Sequence, residues 1–541
     1  MKKEKILALC TPKKILVIML ALQMLIMFYW GNVKEGYFVD ELWSYGLANS
    51  YYHPHIFSDN AMENDWLDEE YFRTYIEVEE GEQFSLGSVV YNMSNDAHPP
   101  IYFLILHSIC SLFPGTFSKW YGIVPNIVYF LLAQILLYRL SSKLFKNEWL
   151  ALLPCMVWGF SPAAVSFVIF IRMYMLSTMC GLLTLNLHMD LMEEKKKNHP
   201  VLMWFMVFLV SFFGYMCHYF YFIFAFFVSA FYMLYLLVQK NWKRMVWYGS
   251  AMGGSLLLTA VVFPVAFTQI FGNVGSAGAP GAPAAQGNPW DHLYKMYRYV
   301  IIAGRDLFAA DMKIVYIVSF VAIAAFVLLI LKIIKNAEFR KEEKIGIWFF
   351  FMCAGTSAIY YFLAVKVAPS YSNRYICTLY PLVYLMIIWL VYAIWQKRKH
   401  TNIGAVVTVS AALTVMAIFS QSTCVDFLGK GGESNEAAVE SYMEGADVYF
   451  ISFNFYKVTE KILELEHAER VRVVAPQDWR LEAALAEHDA RKDHLIVYID
   501  PSEGMTEEIL DWVLEYTEYT KCRQIEDYTM MYDAAMAYLV Y

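Results

Sequence analysis

Long apolar segments recur along the chain and leave few options for its fold. A helix needs about 20 apolar residues to cross the hydrocarbon core of a bilayer. Segments that approach or reach this length include residues 15–30, 201–217, 245–267, 314–331 and 403–420. Of the 541 residues, 59% are hydrophobic and only 17% are charged, whereas about a quarter are charged in an average soluble protein. The sequence therefore predicts a polytopic α-helical membrane protein.

Positive charges set the expected orientation, because membrane proteins keep Lys and Arg on the cytoplasmic side. Basic connections occur at residues 2–14, 139–148, 193–200, 239–244, 332–344 and 396–400. Eleven spans place all of these connections inside if the first span runs outward from a cytoplasmic N-terminus and residues 99–113 do not cross. Beyond the first, the spans are expected near 120–138, 149–169, 173–191, 201–218, 219–238, 245–270, 314–331, 345–365, 375–395 and 402–420.

The stretch NDAHPPIYFLILHSICSLF, residues 95–113, joins a polar motif to an apolar run. If residues 99–113 crossed the membrane, every later basic connection would lie outside, against the usual charge bias. The apolar core from Ile101 to Phe113 is also only 13 residues long, which is typical of interfacial or re-entrant segments. We therefore expect a juxtamembrane helix at the outer face.

Composition divides the chain into a transmembrane domain, residues 1–420, and a small α/β domain, residues 421–541. The first contains an acidic outer loop at 31–119 and a Gly/Ala/Pro-rich outer loop at 271–313, interpreted as either a passive linker or a mobile loop over a site. In the second, the runs ADVYFIS, VRVVAP and HLIVYID predict buried strands that alternate with helical patterns. No G-x-G-x-x-G motif opens its first helix, so we assign it no nucleotide and expect no nucleic-acid partner.

Ionisable and tyrosine side chains gather at the predicted outer ends of the helices. The candidates are Asp40 and Glu41, Asp96 and His98, Arg172 and Tyr174, and a last group of His218, Tyr219, Lys366, Arg374 and Tyr375. Ionisable residues beside apolar spans are costly, and they usually face a cavity or each other. Carboxylates and an imidazole can bind a divalent cation or take a proton, and arginines can neutralise a phosphate. The pattern favours chemistry on the sugar of a lipid-linked phosphate.

Structural explanations remain open for several of these residues. Arg172 and Arg374 are also explained as arginines that extend to lipid headgroups. His218 is equally explained as a hydrogen-bonded core histidine, and Pro99 and Pro100 as the start of a helix.

The motifs VDELWSYG, HPPIYFLILH, RMYML, HYFYF and RYICTLYPL, in this order, resemble those of the GT-C glycosyltransferases that use polyprenyl-phosphate sugars. The chain is most similar to the bacterial family that includes the lipid A aminoarabinose transferases, relatives of the protein O-mannosyltransferases of glycosyltransferase family 39. The similarity covers roughly residues 10–395. It implies helices along the membrane in the first loop and a reaction centre at Asp40, as acceptor base or metal ligand, with Glu41 in support.

One departure from the family concerns metal binding. Aminoarabinose transferases carry Glu-Lys before the two prolines, where this chain has Ala97 and His98. Asp96 or His98 would then replace the missing carboxylate and join Asp40 in holding a divalent cation, Mg²⁺ or Mn²⁺. Metal dependence is an open question at this point.

The resulting hypothesis is an inverting glycosyltransferase of a bacterial plasma membrane. Donor phosphate and substrate contacts are expected from Arg172, Tyr174, His218, Tyr219, Lys366, Arg374, Tyr375 and His98. The acceptor is a lipid, a glycan or a protein, and neither it nor the sugar is identified by the sequence. The alternatives are a transporter or flippase for a lipid-linked or amphiphilic solute, although paired hydropathy repeats are not evident, and a non-catalytic scaffold or sensor.

Overall fold

The computed structural model describes residues 11–56, 65–193, 200–271, 288–308, 341–395, 403–489, 491–501, 504–526 and 535–541, together with part of 316–331. Residues 272–287 and 309–313 of the predicted 271–313 loop lie outside this description, as does part of the span predicted at 314–331.

Helices dominate the described part of the chain up to residue 424. In chain order they are α1 (Pro12–Val33), α2 (Val39–Asn49), α3 (Glu69–Ile76), α4 (Leu86–Ser94), α5 (Ile101–Cys110), α6 (Trp120–Phe145), α7 (Leu152–Gly159), α8 (Pro162–Ile169), α9 (Tyr174–Glu193), α10 (Pro200–Tyr215), α11 (Phe220–Val238), α12 (Trp242–Val262), α13 (Val265–Phe271), α14 (Pro289–Phe308), α15 (Lys341–Val367), α16 (Tyr380–Trp395) and α17 (Ile403–Cys424). Two 3-10 turns, Asn373–Tyr375 and Cys377–Leu379, precede α16.

The chain is a polytopic membrane protein, as its apolar segments predict. Within the described residues, seven helices are long and apolar enough to cross a membrane, and the pair α7 and α8, bent by 63°, would make an eighth. Ser161 and Pro162 explain the bend, since the Ser161 hydroxyl caps α8 at the Ala164 N–H (3.1 Å) and Pro162 begins that helix. Helices α9 and α10 fill two further predicted spans, although α10 is only 16 residues long.

Two predicted loop regions contain regular structure. In the range 271–313, α14 forms an amphipathic helix whose exposed face carries Trp290, Leu293 and Tyr294. In the range 31–119, α5 is 10 residues long, and a helix rises about 1.5 Å per residue. It is therefore too short to cross a hydrocarbon core of about 30 Å.

The chain beyond α17 forms a small α/β domain, as predicted. Its elements are α18 (Gly432–Glu440), β1 (Asp447–Ile451), a 3-10 helix (Phe455–Lys461), α19 (Ile462–Leu465), β2 (Val471–Val474), α20 (Asp478–Leu485), β3 (Leu495–Ile499), α21 (Thr506–Glu515), β4 (Cys522–Gln524) and β5 (Met536–Val540). The sheet order is β2-β1-β3-β5-β4, with β1 parallel to β2 and β3, and β5 antiparallel to β3 and β4. Every residue of β1 and β3 is buried, which explains why both strands are apolar apart from Asp447 at the start of β1.

The chain folds into two compact units. The first comprises residues 1–31 and 123–426, and the second comprises residues 32–122 and 427–541. The second unit therefore unites the acidic first loop with the α/β domain, a grouping that the sequence analysis did not predict. Backbone hydrogen bonds join the two segments inside this unit: Glu35 N–H to Leu428 O (2.8 Å), and Leu67 with Val471 in both directions (2.8 and 2.7 Å).

Candidate active site

The second unit buries the Asp40-Glu41 pair in the first turn of α2. Glu41 is completely buried, and its carboxylate accepts hydrogen bonds from the Lys34 ammonium (2.8 Å) and from the Phe38 N–H (2.7 Å). Lys34 is also completely buried and donates a second bond to the Phe427 carbonyl (2.6 Å). Burial lowers the pKa of Lys34, and the Glu41 charge opposes that shift. Glu41 thus holds the start of α2 in place, and its predicted support of catalysis stays a prediction.

Asp40 occupies a different environment from its neighbour. Its side chain is 5% exposed, and its backbone carbonyl accepts a hydrogen bond from the Ser44 hydroxyl (2.9 Å). Consecutive helical residues point in different directions, and Glu41 is the partner of Lys34. The N-terminal end of a helix favours negative charge. The role of Asp40 as the base stays a prediction.

Close packing positions α2 within the second unit. Gly46 lies against the ring of Tyr75 on α3, where a Cβ atom would come within 2.1 Å of two ring carbons. This contact explains the glycine at the end of the VDELWSYG motif. Helix α2 also packs against α4 and α5, the helices that flank Asp96 and His98.

Asp96 and His98 form a pair of their own, with 2.7 Å between Asp96 Oδ2 and His98 Nδ1. Both side chains are partly exposed. The charge of Asp96 also acts on Tyr456. Burial is the larger cause, and the Asp96 charge the second, that raise the pKa of the Tyr456 hydroxyl to about 12. A carboxylate that fixes the orientation of an imidazole is suited to proton transfer or to binding a polar substrate.

The predicted metal ligands are Asp40, Asp96 and His98. Among the residues that the structure describes, no group of three or more His, Cys, Asp or Glu side chains is placed to hold a metal ion. Asp40, Asp96 and His98 therefore do not form a three-ligand site in this structure. Metal dependence itself stays a prediction.

In the first unit, Arg172 and Tyr174 follow the end of α8. Asn126 shapes this turn by donating to the carbonyls of Val168 (3.2 Å) and Phe170 (2.8 Å). Arg172 is 3% exposed, and Tyr174 stacks on Phe170 with 5.8 Å between ring centroids. The Arg172 guanidinium is thus buried, on a turn that side-chain hydrogen bonds hold in place. Extension of Arg172 to lipid headgroups does not explain this burial.

His218 and Tyr375 complete an aromatic group around Tyr174. The His218 ring lies 5.2 Å from the Tyr174 ring and 5.2 Å from that of Phe220, which in turn lies 5.6 Å from Tyr375. His218 Nδ1 accepts a hydrogen bond from the Phe220 N–H (3.1 Å). We call Tyr174, His218, Phe220 and Tyr375 the aromatic cluster.

Arg374 adjoins the aromatic cluster through Tyr375. Its guanidinium lies 5.1 Å from the centre of the Tyr375 ring and donates to the Tyr375 hydroxyl (3.0 Å). The two remaining predicted residues have other surroundings. Tyr219 donates to Gln269 in α13, and Lys366 is exposed near His292. The structure therefore places Arg374 at the aromatic cluster with Tyr375, and Lys366 at the surface.

A small cavity of about 10 Å³, roughly the space that one water molecule needs, lies between α9, α11, α15 and α16 of the first unit. Its lining combines apolar side chains with hydroxyl groups: Ser177, Gly181, Leu182, Tyr221, Phe224, Tyr360, Thr378 and Leu382. The Tyr360 hydroxyl donates to the Tyr375 carbonyl (3.1 Å), which connects the cavity wall to the aromatic cluster.

Sequence reasoning missed Arg305, Asp306, Asn373 and Asp426, which form a polar group beside Arg374. The composition of the 271–313 segment led to a loop interpretation, although the alternation of apolar and charged residues from 289 to 308 is helical in period.

Comparisons with known proteins add to this geometry. No family model matches the chain, and no curated protein matches its sequence. The crystal structure of ArnT from Cupriavidus metallidurans bound to undecaprenyl phosphate matches with a TM-score of 0.51, at 11% identity and over 97% of each chain. The chain has an ArnT-like fold. The structure of the same ArnT in the apo state gives a TM-score of 0.47 at 12% identity, over 92% of this chain and 95% of that one.

The ArnT likeness confirms the predicted fold, a polytopic helical membrane protein with a small C-terminal α/β domain. It also extends beyond the range that the motifs cover, since 97% of the chain includes part of the α/β domain that follows residue 420. The C-terminal domain thus belongs to the shared fold, although no motif identified it.

Proposed function

We propose that the protein is a membrane glycosyltransferase that moves a sugar from a polyprenyl-phosphate donor to an acceptor hydroxyl at the outer face of the membrane. The observation that carries the proposal is the pair of arginine-bearing turns, Arg172 and Arg374, that flank the aromatic cluster in an ArnT-like fold. Guanidinium groups suit phosphate, and aromatic rings suit the faces of a sugar. Undecaprenyl phosphate, which the solved ArnT structure holds, belongs to the same class of lipid as the proposed donor.

The proposed reaction is a single displacement at the anomeric carbon. Asp40 takes the proton from the acceptor hydroxyl, whose oxygen forms a bond to that carbon. The bond from the carbon to the phosphate oxygen breaks, and its electron pair leaves with polyprenyl phosphate. Arg172 and Arg374 stabilise the charge that develops on the phosphate. Attack opposite the leaving group inverts the anomeric configuration.

A lipid-linked donor is concentrated in the membrane, so that no soluble nucleotide-sugar site is needed. The proposal therefore accounts for the absence of a nucleotide motif in the sequence.

The proposed orientation places the N-terminus in the cytoplasm and the α/β domain outside, in a bacterial plasma membrane. Single cysteines at 117 and 146, in a cysteine-free background, test this arrangement. We expect an impermeant thiol reagent added outside to label 117 but not 146. Labelling at 146 from outside would contradict the orientation.

Transfer of radiolabel from polyprenyl-phosphate sugars, measured in reconstituted vesicles, tests the proposed function. A set of pentosyl and hexosyl donors, with lipid, glycan and protein acceptors, identifies the substrates. Movement of intact donor across the vesicle membrane without transfer would instead identify a flippase. Activity that persists in EDTA would show that no divalent cation is required.

Arg172 gives the first variant for this assay. We expect Arg172→Ala to raise the KM for the donor and to lower kcat, because the cation faces phosphate in both the ground and transition states. Arg172→Lys should recover only part of the activity, since a point charge does not reproduce the two-pronged guanidinium. Both variants must elute as monodisperse protein in detergent. Full activity of a well-folded Arg172→Ala would remove Arg172 from the mechanism.

A further inference from the structure

The 3-10 turn Asn373–Tyr375, which carries Arg374, is held by a carboxylate outside the proposed chemistry. Asp426 Oδ2 accepts a hydrogen bond from the Asn373 side chain (3.0 Å), and Asp426 Oδ1 accepts one from Arg305 (2.7 Å). The Asp426 N–H donates to the Ser166 hydroxyl on α8 (2.9 Å). Asp426 therefore connects the Arg374 turn to α14 and α8.

A second carboxylate lies in the same group. Asp306 is 2% exposed, and it accepts a hydrogen bond from the Tyr380 hydroxyl at the start of α16 (2.7 Å). The neighbouring residue Leu307 is fixed in turn, because its carbonyl accepts from the Tyr384 hydroxyl (2.7 Å). We call Arg305, Asp306, Asn373 and Asp426 the carboxylate cluster.

The carboxylate cluster contains two acids and one guanidinium. Burial, with the Asp426 charge second, raises the pKa of Asp306 to about 7. Burial also raises the pKa of Asp426, which Arg305 and Asn373 oppose. Near neutral pH, Asp306 therefore exchanges between a neutral form and a form that adds a second negative charge to the cluster.

The surroundings of the carboxylate cluster point to its two carboxyls as the groups whose charge changes with pH. The other titratable groups that face it are Tyr380 and Tyr384 on α16, Cys377 in the preceding turn and Cys424 at the end of α17. Phenols and thiols are normally protonated at pH 7, and arginine is always charged. Of the two carboxyls, Asp426 is the one that accepts from Arg305, and Asp306 is the one whose pKa is raised to about 7.

One member of the carboxylate cluster, Asn373, directly precedes Arg374 in the chain. The turn is three residues long and closed by the Ile376 N–H bonding to the Asn373 carbonyl (3.0 Å). Fixing Asn373 consequently fixes the backbone of Arg374. Small displacements of a group that binds a reacting phosphate lower activity strongly.

We propose that Asp426 and Asp306 are positioning residues that hold the Arg374 turn for the donor phosphate, and that ionisation of Asp306 weakens donor binding. The phosphate part rests on the function proposed above. The added charge acts in two ways: it competes with Asp426 for Arg305, and it repels a phosphate bound at the neighbouring Arg374.

Hydrogen–deuterium exchange of the whole protein in detergent tests the positioning directly, without reference to activity. We expect Asp426→Asn to increase exchange in a peptide spanning residues 370–378 by about tenfold, because a charged hydrogen bond is lost. The matched control is Asp447→Asn, which removes a buried aspartate paired with Arg470 in the sheet and should leave that peptide unchanged. Unchanged exchange of the 370–378 peptide in Asp426→Asn would overturn the positioning role.

Donor kinetics test the link to phosphate. The donor KM of the native protein should rise by about tenfold between pH 6 and 8, whereas that of Asp306→Asn should stay nearly constant, because asparagine keeps the Tyr380 hydrogen bond but does not ionise. The control is Glu436→Gln, in the second unit. Burial raises the pKa of Glu436 to about 7 as well, and Glu436→Gln should retain the native pH profile of the donor KM. A pH-dependent KM that persists in Asp306→Asn would overturn the ionisation step. If the native protein transfers no sugar while exchange at 370–378 responds to Asp426→Asn, the proposed function fails and the positioning of the turn stands.

Discussion

The Lys34–Glu41 pair of the second unit and the carboxylate cluster of the first unit both bury acidic side chains, but they balance charge differently. Lys34 and Glu41 are matched one to one at 2.8 Å, and both are completely buried. In the carboxylate cluster, two acids, Asp306 and Asp426, interact with one guanidinium, that of Arg305, which donates to Asp426 at 2.7 Å.

The difference in charge balance separates the Lys34–Glu41 pair, whose charges cancel, from the carboxylate cluster, whose charge changes with pH. A matched buried pair has no net charge, and each partner stabilises the charge of the other. In the cluster, burial and, second, the charge of Asp426 favour the protonated form of Asp306 and raise its pKa to about 7. The Lys34–Glu41 pair therefore serves as a fixed anchor for the backbone of α2, whereas the cluster beside Arg374 changes charge.

The largest expected effect comes from breaking the matched pair. Lys34→Met leaves the Glu41 carboxylate buried without its cation and the Phe427 carbonyl without its donor. We expect a loss of about 3–5 kcal/mol in the free energy of unfolding, measured as a lower thermal midpoint in detergent.

The double variant Lys34→Met with Glu41→Gln is the matched control for that prediction. It removes both charges and retains an oxygen that accepts from the Phe38 N–H. It should therefore recover part of the lost stability. A double variant less stable than Lys34→Met alone would show that the two residues do not act as a pair.

Asp40 tests whether adjacent acids have separate tasks. Asp40→Asn keeps the size of the side chain but removes its ability to take a proton, so turnover should fall by about 100-fold while the donor KM changes little. Glu41→Gln should mainly lower stability, because it leaves Lys34 unpaired. Transfer assays at a temperature where both variants are folded separate the two effects. Near-normal transfer by Asp40→Asn would assign the base to another residue, with Asp96 the next candidate.

Much of this architecture follows from features that a sequence displays directly. Apolar runs and the charge bias predicted the positions of the described spanning helices, because bilayer thickness fixes their length. The strands β1, β2 and β3 were predicted because buried parallel strands are continuous apolar runs. Strand β4 has only three residues, Cys522–Gln524, and a segment this short and polar carries little signal.

The candidate site was predicted less completely, for a physical reason. Motif order identified Asp40, Arg172 and Arg374, but a sequence does not show which polar residues meet in three dimensions. Lys34 lies in the acidic first loop and was not among the predicted site residues, yet it is the cation that pairs with Glu41. Asp426 lies more than 100 residues from Arg305, so only the folded chain reveals that they pair.

Gly429 tests whether the close approach of its backbone to Gly36 stabilises the region around the Lys34–Glu41 pair. Its φ is +59°, and a Cβ there would come within 2.5 Å of three backbone atoms of Gly36. Gly429→Ala should separate these segments, loosen the Phe427 carbonyl that anchors Lys34, and lower stability by about 2 kcal/mol. Gly445→Ala is the matched control, since φ is +73° with no atom within 4 Å, and it should cost about 1 kcal/mol from backbone strain alone. Equal losses would show that the close approach to Gly36 contributes nothing.

The smallest expected effect concerns the carboxylate cluster, whose contribution to the free energy of unfolding should depend on pH. The pKa of Asp306 is raised from an unfolded value of 3.8 to about 7, so the folded state binds more protons than the unfolded state between these values. Its contribution to stability is complete below pH 3.8 and is lost as the pH rises through 7. Between pH 6 and 7.5 this loss amounts to about 1 kcal/mol. Asp306→Asn should therefore flatten the decline of the thermal midpoint over that range.

Glu436→Gln separates this effect from the general behaviour of buried acids. Burial also raises the pKa of Glu436 to about 7, so Glu436→Gln should flatten the decline in stability to a similar extent. Of Asp306 and Glu436, however, it is Asp306 that lies in the cluster that holds the Arg374 turn. Asp306→Asn should therefore also remove the pH dependence of the donor KM, whereas Glu436→Gln should not. A stability profile unaffected by Asp306→Asn would mean that this carboxyl does not titrate near pH 7, and the contrast with the Lys34–Glu41 pair would then disappear.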